Sequence, residues 1–120
     1  MGGNSDTMTT AQEPFERIDT AKARELIDGG AVALIDVREQ DEWDEGYIAG
    51  AERISVNDII NMSRAGDIPK DRPIVFYCAA GVRSALAAEL AASIGTPGPL
   101  YNMEGGMDAW RSASLPVAHD

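Results

Sequence analysis

The chain contains one cysteine, Cys78, which stands between a predicted buried strand and a predicted helix. The unpaired N–H groups at a helix N-terminus carry a partial positive charge that favours an anion. Residues 79–81 are small, so the backbone could curl around the sulfur with its N–H groups inward, and Arg83 adds a fixed positive charge. Each feature lowers the pKa of a thiol, so the segment predicts a reactive thiolate. The small residues predicted to curl around the sulfur are Ala79, Ala80 and Gly81.

The alternative for Cys78 is an inert cysteine in the hydrophobic core, which is a common fate of this residue type. A strand followed by a cysteine would by itself favour that alternative. A core cysteine, however, needs neither a following glycine, Gly81, nor an arginine, Arg83, nor a helix that begins within a few residues. The combination therefore favours a thiol with a chemical role.

The two elements that would position Cys78 are the clearest in the sequence. Residues 73–77 are rich in β-branched and aromatic side chains, which predicts a strand. Residues 84–94 are rich in strong helix formers, and the pattern stops at Gly95. The helical spacing predicts a buried side made of large aliphatic residues. These are Leu86, Leu90 and Ile94.

Further elements alternate between helix and strand. Apolar residues at helical spacing after Asp19 or Thr20 predict a first helix, which stops at Gly29-Gly30. The apolar run 31–37 predicts a strand that is buried on both faces. The remaining predictions are one helical turn at 41–46, a short strand at 53–56, a helix carrying Ile59 and Ile60, a turn at 68–72, a last strand at 99–102 and a final helical turn through Ala109 and Trp110.

Strands that alternate with helices through short loops favour an α/β fold, with a small parallel sheet flanked by helices on both faces. In such sheets, ligands bind at the carboxyl ends of the strands. Asp36, Cys78 and the loop 103–106 all fall at such ends. The sequence therefore predicts that these residues converge on one site.

The size and composition of the chain fit one ordinary globular domain. It has 120 residues, of which 44% are hydrophobic and 25% are charged, close to the averages for globular proteins. Residues 1–14 are polar and lack apolar periodicity, so they are predicted to be a flexible tail, which leaves 15–120 as the domain. No apolar run approaches the roughly 20 residues that a membrane helix needs.

Charge and cysteine content limit the partners and the compartment. The formal net charge is −10, which argues against nucleic acid and anionic membranes as partners, since both are polyanions. One cysteine cannot form an internal disulfide, and the single histidine, His119, leaves no Cys/His cluster for a zinc site. These features predict a protein of a reducing compartment, the cytoplasm.

Several ordered segments are similar to the motifs of single-domain rhodaneses. The loop 78–84 (CAAGVRS) resembles their active-site loop, and residues 35–39 (IDVRE) with Trp43 resemble an earlier segment. The other matching segments are 46–51 (GYIAGA), 105–110 (GGMDAW) and 115–117 (LPV). The resemblance spans about residues 18–117, and ordered segments at suitable spacing are far more specific than any one of them.

The resemblance implies a rhodanese-like sheet and sulfur transfer in two steps. The Cys78 thiolate would attack the outer sulfur of a small anionic donor such as thiosulfate and become a persulfide. A thiophilic acceptor, which could be a partner protein, would then remove that sulfur. The resemblance also implies that the persulfide is stabilised by the amides of the loop residues Ala79, Ala80, Gly81, Val82, Arg83 and Ser84. Arg83 would hold the anionic group of the donor, and no metal or organic cofactor is required. Tyr47 and Arg53 replace a common His and a common Asn of the family, which affects the surroundings of the site and not the nucleophile.

Two other kinds of function remain as alternatives. Tyrosine phosphatases and arsenate reductases also place an arginine after a cysteine at a helix N-terminus. Phosphatases place it six positions after the cysteine, whereas Arg83 is five positions after Cys78, and this shorter loop fits one sulfur atom better than a phosphate. The second alternative is a non-catalytic regulatory or sulfur-carrier module, which stays open because a sequence does not show turnover.

Other residues near the predicted strand ends are assigned structural roles. Arg38 is expected to pair with Glu42 or another nearby acid and so to pin the end of its strand. Asp36 is assigned the same role. Packing roles are predicted for Trp43 and Trp110.

Overall fold

A computed structural model describes residues 13–120, and within this range five strands form one parallel sheet. The strands are β1 Glu16–Ile18, β2 Ala33–Asp36, β3 Glu52–Arg53, β4 Ile74–Tyr77 and β5 Leu100–Met103. Their order across the sheet is β1-β5-β4-β2-β3, and neighbouring strands pair in parallel. β4 lies at the centre, so strands on both sides enclose its carboxyl end.

Helices separate the strands along the chain. They are α1 Thr20–Gly29, α2 Gln40–Asp44, α3 Val56–Ile60, α4 Val82–Ser93 and α5 Gly106–Ser112, with a 3₁₀ turn at Ala65–Asp67. The start of α1 is fixed because the Asp19 carboxylate accepts a hydrogen bond from the Lys22 amide at 2.8 Å. Its end is fixed by Gly30, which adopts a φ of 77°. The predicted start and stop of this helix are therefore confirmed.

Apolar side chains cover both faces of the sheet. Successive residues of a strand point to opposite faces. On one face Ile35 and Phe76 pack in a cluster with residues of α3 and α4. On the other face Leu34 and Val75 pack with residues of α1 and α5. The prediction of an α/β fold with a parallel sheet flanked on both faces is confirmed.

The buried side of α4 differs from the one that its sequence predicted. Leu86 and Ile94 are 41% and 39% exposed, so their predicted burial is wrong, and Leu90 is only half-buried. The buried residues of this helix are small: Ser84, Ala87, Ala88 and Ala91. Because these side chains are small, the helix backbone can approach the sheet more closely than a face of leucines would allow.

The strands also differ in extent from their predictions. β2 is shorter than the apolar run 31–37, and β5 is displaced by one residue from 99–102. β3 begins one residue before the predicted strand 53–56 and ends at residue 53. β1 is absent from the predicted elements. Its three residues include one buried side chain, Ile18, and so short a segment shows no periodic pattern.

The division into a tail, residues 1–14, and a domain, residues 15–120, stays a prediction, because residues 1–12 lie outside the described part of the chain. At the start of that part, Arg17 forms ion pairs with Glu13 at 2.7 Å and with Glu104 at 3.1 Å. None of the helices between residues 13 and 120 is long and apolar enough to cross a membrane.

Candidate active site

Cys78 directly follows the central strand β4, at the carboxyl edge of the sheet. The chain leaves β2 toward β3 at one side of the sheet and leaves β4 toward β5 at the other. A crevice between two such strands is the usual ligand position in open α/β sheets. The Cys78 side chain is 1% exposed, so its sulfur lies beneath the loop that follows it.

Hydrogen-bond donors from the loop 78–84 point at the sulfur of Cys78. The Gly81 amide lies 3.1 Å from Sγ, and both the amide and the hydroxyl of Ser84 lie 3.4 Å from it. Gly81 adopts a φ of 99°, a conformation that favours glycine. The predicted inward turn of the loop amides is therefore present at Gly81 and Ser84.

The first turn of α5 fixes the orientation of this loop. The Met107 amide donates to the Cys78 carbonyl at 2.8 Å, and the Asp108 amide donates to the Ala79 carbonyl at 2.9 Å. These bonds hold the two carbonyls toward α5. The contact also explains why α5 begins with a glycine, because a Cβ on Gly106 would lie 2.7 Å from the Ala79 carbonyl carbon.

Opposing effects act on the pKa of the Cys78 thiol. Burial raises this pKa, because it disfavours the charged form. Hydrogen bonds from the hydroxyl and the amide of Ser84 and from the amides of Gly81 and Ala80 lower it. The net pKa lies below the ordinary value, which increases the fraction of reactive thiolate at neutral pH.

Asn102 supports the donors around Cys78, and sequence reasoning did not single it out. Its side chain is fully buried on β5, and its Nδ2 donates to the Gly81 carbonyl at 3.1 Å and to the Glu104 carboxylate. These bonds orient Oδ1 toward Ser84, whose Oγ lies 2.5 Å away. The single hydroxyl proton of Ser84 therefore has two acceptors in reach, Asn102 Oδ1 and Cys78 Sγ. The available signal was an asparagine, a residue that strands disfavour, next to a predicted strand end.

Arg83 is held by a carboxylate from α2. Its Nη1 and Nη2 donate to the two oxygens of Glu42 at 2.7 and 2.8 Å. The hydrogen bond from Arg83 is the main reason that the pKa of Glu42 falls to about 2. Sequence reasoning placed Glu42 beside Arg38 as one option, and the structure places it beside Arg83.

Arg38 pairs with Asp36, the other option left open by the sequence. Arg38 Nη2 lies 2.8 Å from Asp36 Oδ2, in an ion pair that is almost wholly buried. The same nitrogen donates to the Gly46 carbonyl, and Arg53 donates to the Arg38 carbonyl. These contacts tie the end of β2 to the segments that follow it. Arg53 thus contributes to the frame of the site.

The aromatic residues near the site are held by packing and by the end of the chain. The rings of Trp43 and Tyr47 stack with their centroids 3.8 Å apart, and both side chains donate to the Asp120 carboxylate. Trp110 is buried and donates to the Pro116 carbonyl at 2.7 Å. Tyr47 therefore takes part in a surface cluster with Trp43 and Asp120.

The family to which this chain belongs follows from its match to a known protein family. Residues 19–113 match the family described as Rhodanese-like domain. The chain belongs to this family. Its parallel sheet, with the cysteine after the central strand, is thus a rhodanese-like domain, as the resemblance implied.

Relatives of this rhodanese-like domain include sulfurtransferases. The thiosulfate sulfurtransferase GlpE from Pseudomonas fluorescens is 34% identical over 98 residues, which cover 82% of this chain and 86% of that protein. The probable adenylyltransferase/sulfurtransferase MoeZ from Mycobacterium tuberculosis is 36% identical over 100 residues, which cover 82% of this chain. The matched part is 25% of MoeZ, so this chain spans about a quarter of the length of that relative.

Solved structures show the same fold. A protein of unknown function from Rhodopseudomonas palustris, described as a possible tyrosine phosphatase, has a TM-score of 0.78 and 33% identity. The match covers 91% of this chain and 89% of that chain. Other similar structures are described as rhodanese-like domains.

Replacing Ser84 with alanine in this rhodanese-like domain should raise the pKa of Cys78. The Ser84 hydroxyl stabilises the anionic sulfur, so its removal leaves less thiolate at neutral pH. One lost hydrogen bond of about 1 kcal/mol corresponds to a rise of about 0.5–1 pKa unit. The measurement is the rate of alkylation of Cys78 by iodoacetamide over a pH series.

The matched control for Ser84→Ala is Ser93→Ala, because the Ser93 hydroxyl bonds to the Leu90 carbonyl on the same helix. That variant should leave the pKa of Cys78 unchanged. An unchanged pKa in Ser84→Ala would mean that the hydroxyl proton stays with Asn102 and does not act on the sulfur.

Proposed function

We propose that this domain transfers sulfane sulfur through a persulfide on Cys78. The observation that carries the proposal is the set of donors around Sγ, with the Gly81 amide at 3.1 Å and the amide and hydroxyl of Ser84 at 3.4 Å. Such donors stabilise negative charge on sulfur, which both the attacking thiolate and the persulfide carry. The sulfurtransferases among the relatives support the same class of reaction.

The proposed reaction consists of two half-reactions, and these need no reagent other than the sulfur donor and the sulfur acceptor. The Cys78 thiolate attacks the outer sulfur of a small anionic donor. With thiosulfate, a bond forms between Sγ and that sulfur, the S–S bond of thiosulfate breaks, and sulfite leaves with the electron pair. A thiolate or cyanide then attacks the outer sulfur of the persulfide, the bond to Sγ breaks, and the Cys78 thiolate is restored.

The loop and the surface of the domain have distinct parts in this proposal. The loop 79–84 would bind the transferred sulfur, and Arg83 would meet the anionic group of a donor when its pair with Glu42 opens. A free thiolate persists in a reducing compartment, so we assign the reaction to the cytoplasm. The net charge of −10 would favour a partner protein with a basic surface as the acceptor.

Intact-protein mass spectrometry tests the proposal directly. After incubation with thiosulfate or an organic persulfide, the protein should gain the mass of one sulfur atom. Treatment with a thiol or with cyanide should remove that mass. Failure to load with several donors would contradict the proposal and favour a non-catalytic regulatory module, whereas loading without turnover to any acceptor would favour a sulfur carrier.

Phosphate-ester hydrolysis is the competing activity, because one structural neighbour is described as a possible tyrosine phosphatase. In this chain Arg83 follows Cys78 by five positions and is paired with Glu42, which supports a site for one sulfur atom over a site for phosphate. Hydrolysis of an aryl phosphate by protein that does not load sulfur would reverse this ranking.

A further inference from the structure

The guanidinium of Arg83, a residue of the loop that follows Cys78, faces a carboxylate from α2. Arg83 and Glu42 form a bidentate pair at 2.7 and 2.8 Å, with side chains that are 35% and 30% exposed. Parallel N–H···O bonds of this kind are the strong form of an ion pair. The pair neutralises the positive charge that would otherwise attract an anionic donor.

Glu42 is also held from its own helix. The Glu39 amide donates to Glu42 Oε1 at 3.0 Å, and the two residues form the capping box of α2. Arg83 lies in the first turn of α4, next to Ser84, which contacts the sulfur. Because the backbone of both residues is fixed within a helix, forming this pair costs less side-chain conformational entropy than forming an ordinary surface ion pair.

The charges around Arg83 do not sum to a cationic site. Glu42 is the main cause of the raised pKa of Arg83, and the negative charges of Cys78 and Glu39 add to it, so several anionic groups act on one guanidinium. The chain as a whole carries a net charge of −10. A dianionic donor therefore meets repulsion at long range and a neutralised arginine at contact.

We propose that Glu42 is a specificity-determining residue, which neutralises Arg83 and so disfavours doubly charged sulfur donors relative to singly charged ones. The inference rests on the proposed sulfur transfer and names the donor class of the same site. Each donor delivers its outer sulfur to the Cys78 thiolate, and a leaving group departs with the electron pair of the broken S–S bond. The donors differ in the charge that they bring to Arg83.

Glu42→Gln tests this assignment with two donors of different charge. Glutamine keeps an oxygen that can accept the Glu39 amide bond, and it removes the negative charge from Arg83. The value of kcat/KM for thiosulfate, a dianion, should rise by about tenfold, and the value for benzenethiosulfonate, a monoanion, by about threefold. The control is Glu89→Gln, which removes an equal charge from the exposed side of α4 and should change both values by less than about twofold.

A second measurement uses no sulfur donor. Iodoacetate and iodoacetamide both alkylate the Cys78 thiolate, but only iodoacetate brings a negative charge. The rate with iodoacetate divided by the rate with iodoacetamide does not depend on the thiolate fraction, because both reagents need the thiolate. This ratio should rise several-fold in Glu42→Gln and stay constant in Glu89→Gln. If the protein never forms a persulfide, the proposed function fails while this ratio still tests Glu42.

The contrary outcomes are equally specific. An unchanged reagent ratio in Glu42→Gln would show that Arg83 does not face the incoming reagent, and the assignment would be wrong. A fall in kcat/KM for thiosulfate in Glu42→Gln would also contradict the assignment, because it would show that Glu42 is needed to position Arg83 for the donor. An equal response in Glu89→Gln would assign the effect to the net charge of the protein.

Discussion

Replacing Cys78 with serine is expected to abolish sulfur transfer while the domain stays folded. A serine hydroxyl is not ionised at neutral pH and cannot hold the transferred sulfur as a persulfide. The loss of kcat/KM should therefore be at least about a thousandfold. The fold should persist because the two side chains are similar in size, and the amides of Gly81 and Ser84 that face Sγ can donate to an oxygen in its place.

The measurements for Cys78→Ser are sulfite release from thiosulfate, the intact mass after donor treatment, and thermal unfolding. Ser84→Ala serves as the comparison, because it keeps the thiol and loses one donor, so it should retain reduced but measurable activity. The sequence contains no second cysteine. Appreciable turnover in Cys78→Ser would therefore mean that the reaction does not pass through a cysteine persulfide.

The part of the site that could be predicted from sequence is the part that is continuous in sequence. The strand, Cys78, the small residues and the helix follow one another within 20 residues, from 74 to 93, and each has a local signal. Gly81 permits the turn, and the first turn of α4 supplies the Ser84 amide. Local patterns are sufficient to place these groups around the sulfur.

The supporting residues come from distant segments, and no local pattern indicates which groups of the site they contact. Asn102 reaches Gly81 and Ser84 because β5 pairs with β4 in the register Phe76 to Asn102, and register is a property of the whole sheet. The pair between Arg83 and Glu42 spans 41 positions. The sequence offered Glu42 as one possible partner of Arg38, because the two residues lie close in sequence, and no local pattern indicated its pairing with Arg83.

The error in α4 has a different physical origin. Apolar periodicity assigns the largest hydrophobic side chains to the core, and this predicted burial for Leu86. The helix instead lies against the sheet through Ala87, Ala88 and Ala91, which are fully buried. Close approach of a helix to a sheet favours small residues, and this geometric requirement is invisible to a hydrophobicity pattern.

Replacing Gly106 with alanine is expected to damage both the stability and the chemistry of the domain. Gly106 has a φ of 54°, and a Cβ there would contact the Cys78 carbonyl oxygen and lie 2.7 Å from the carbonyl carbon of Ala79. These are backbone atoms, which cannot move aside as a flexible side chain could. Strain and overpacking together should lower the free energy of unfolding by about 3 kcal/mol.

The chemical effect of Gly106→Ala follows from the bonds that α5 makes to the loop. The amides of Met107 and Asp108 hold the carbonyls of Cys78 and Ala79, and displacement of α5 would release them. The loop amides would then point less well at Sγ, so the pKa of Cys78 should rise and sulfur transfer should fall by about a hundredfold. The measurements are urea unfolding, kcat/KM for thiosulfate and the pH profile of alkylation by iodoacetamide.

Gly29→Ala is the matched control for Gly106→Ala, because a Cβ on Gly29 meets nothing within 4 Å and this glycine does not have the positive φ of Gly106. Alanine at the end of α1 should leave activity unchanged and stability equal or slightly higher. If Gly106→Ala loses stability but keeps the pKa of Cys78, the loop holds its own shape and α5 serves only to stabilise the fold. A raised pKa in protein that remains folded would instead show that the contact between α5 and the loop tunes the nucleophile, since the atoms nearest to a Cβ at position 106 are carbonyl atoms of Cys78 and Ala79.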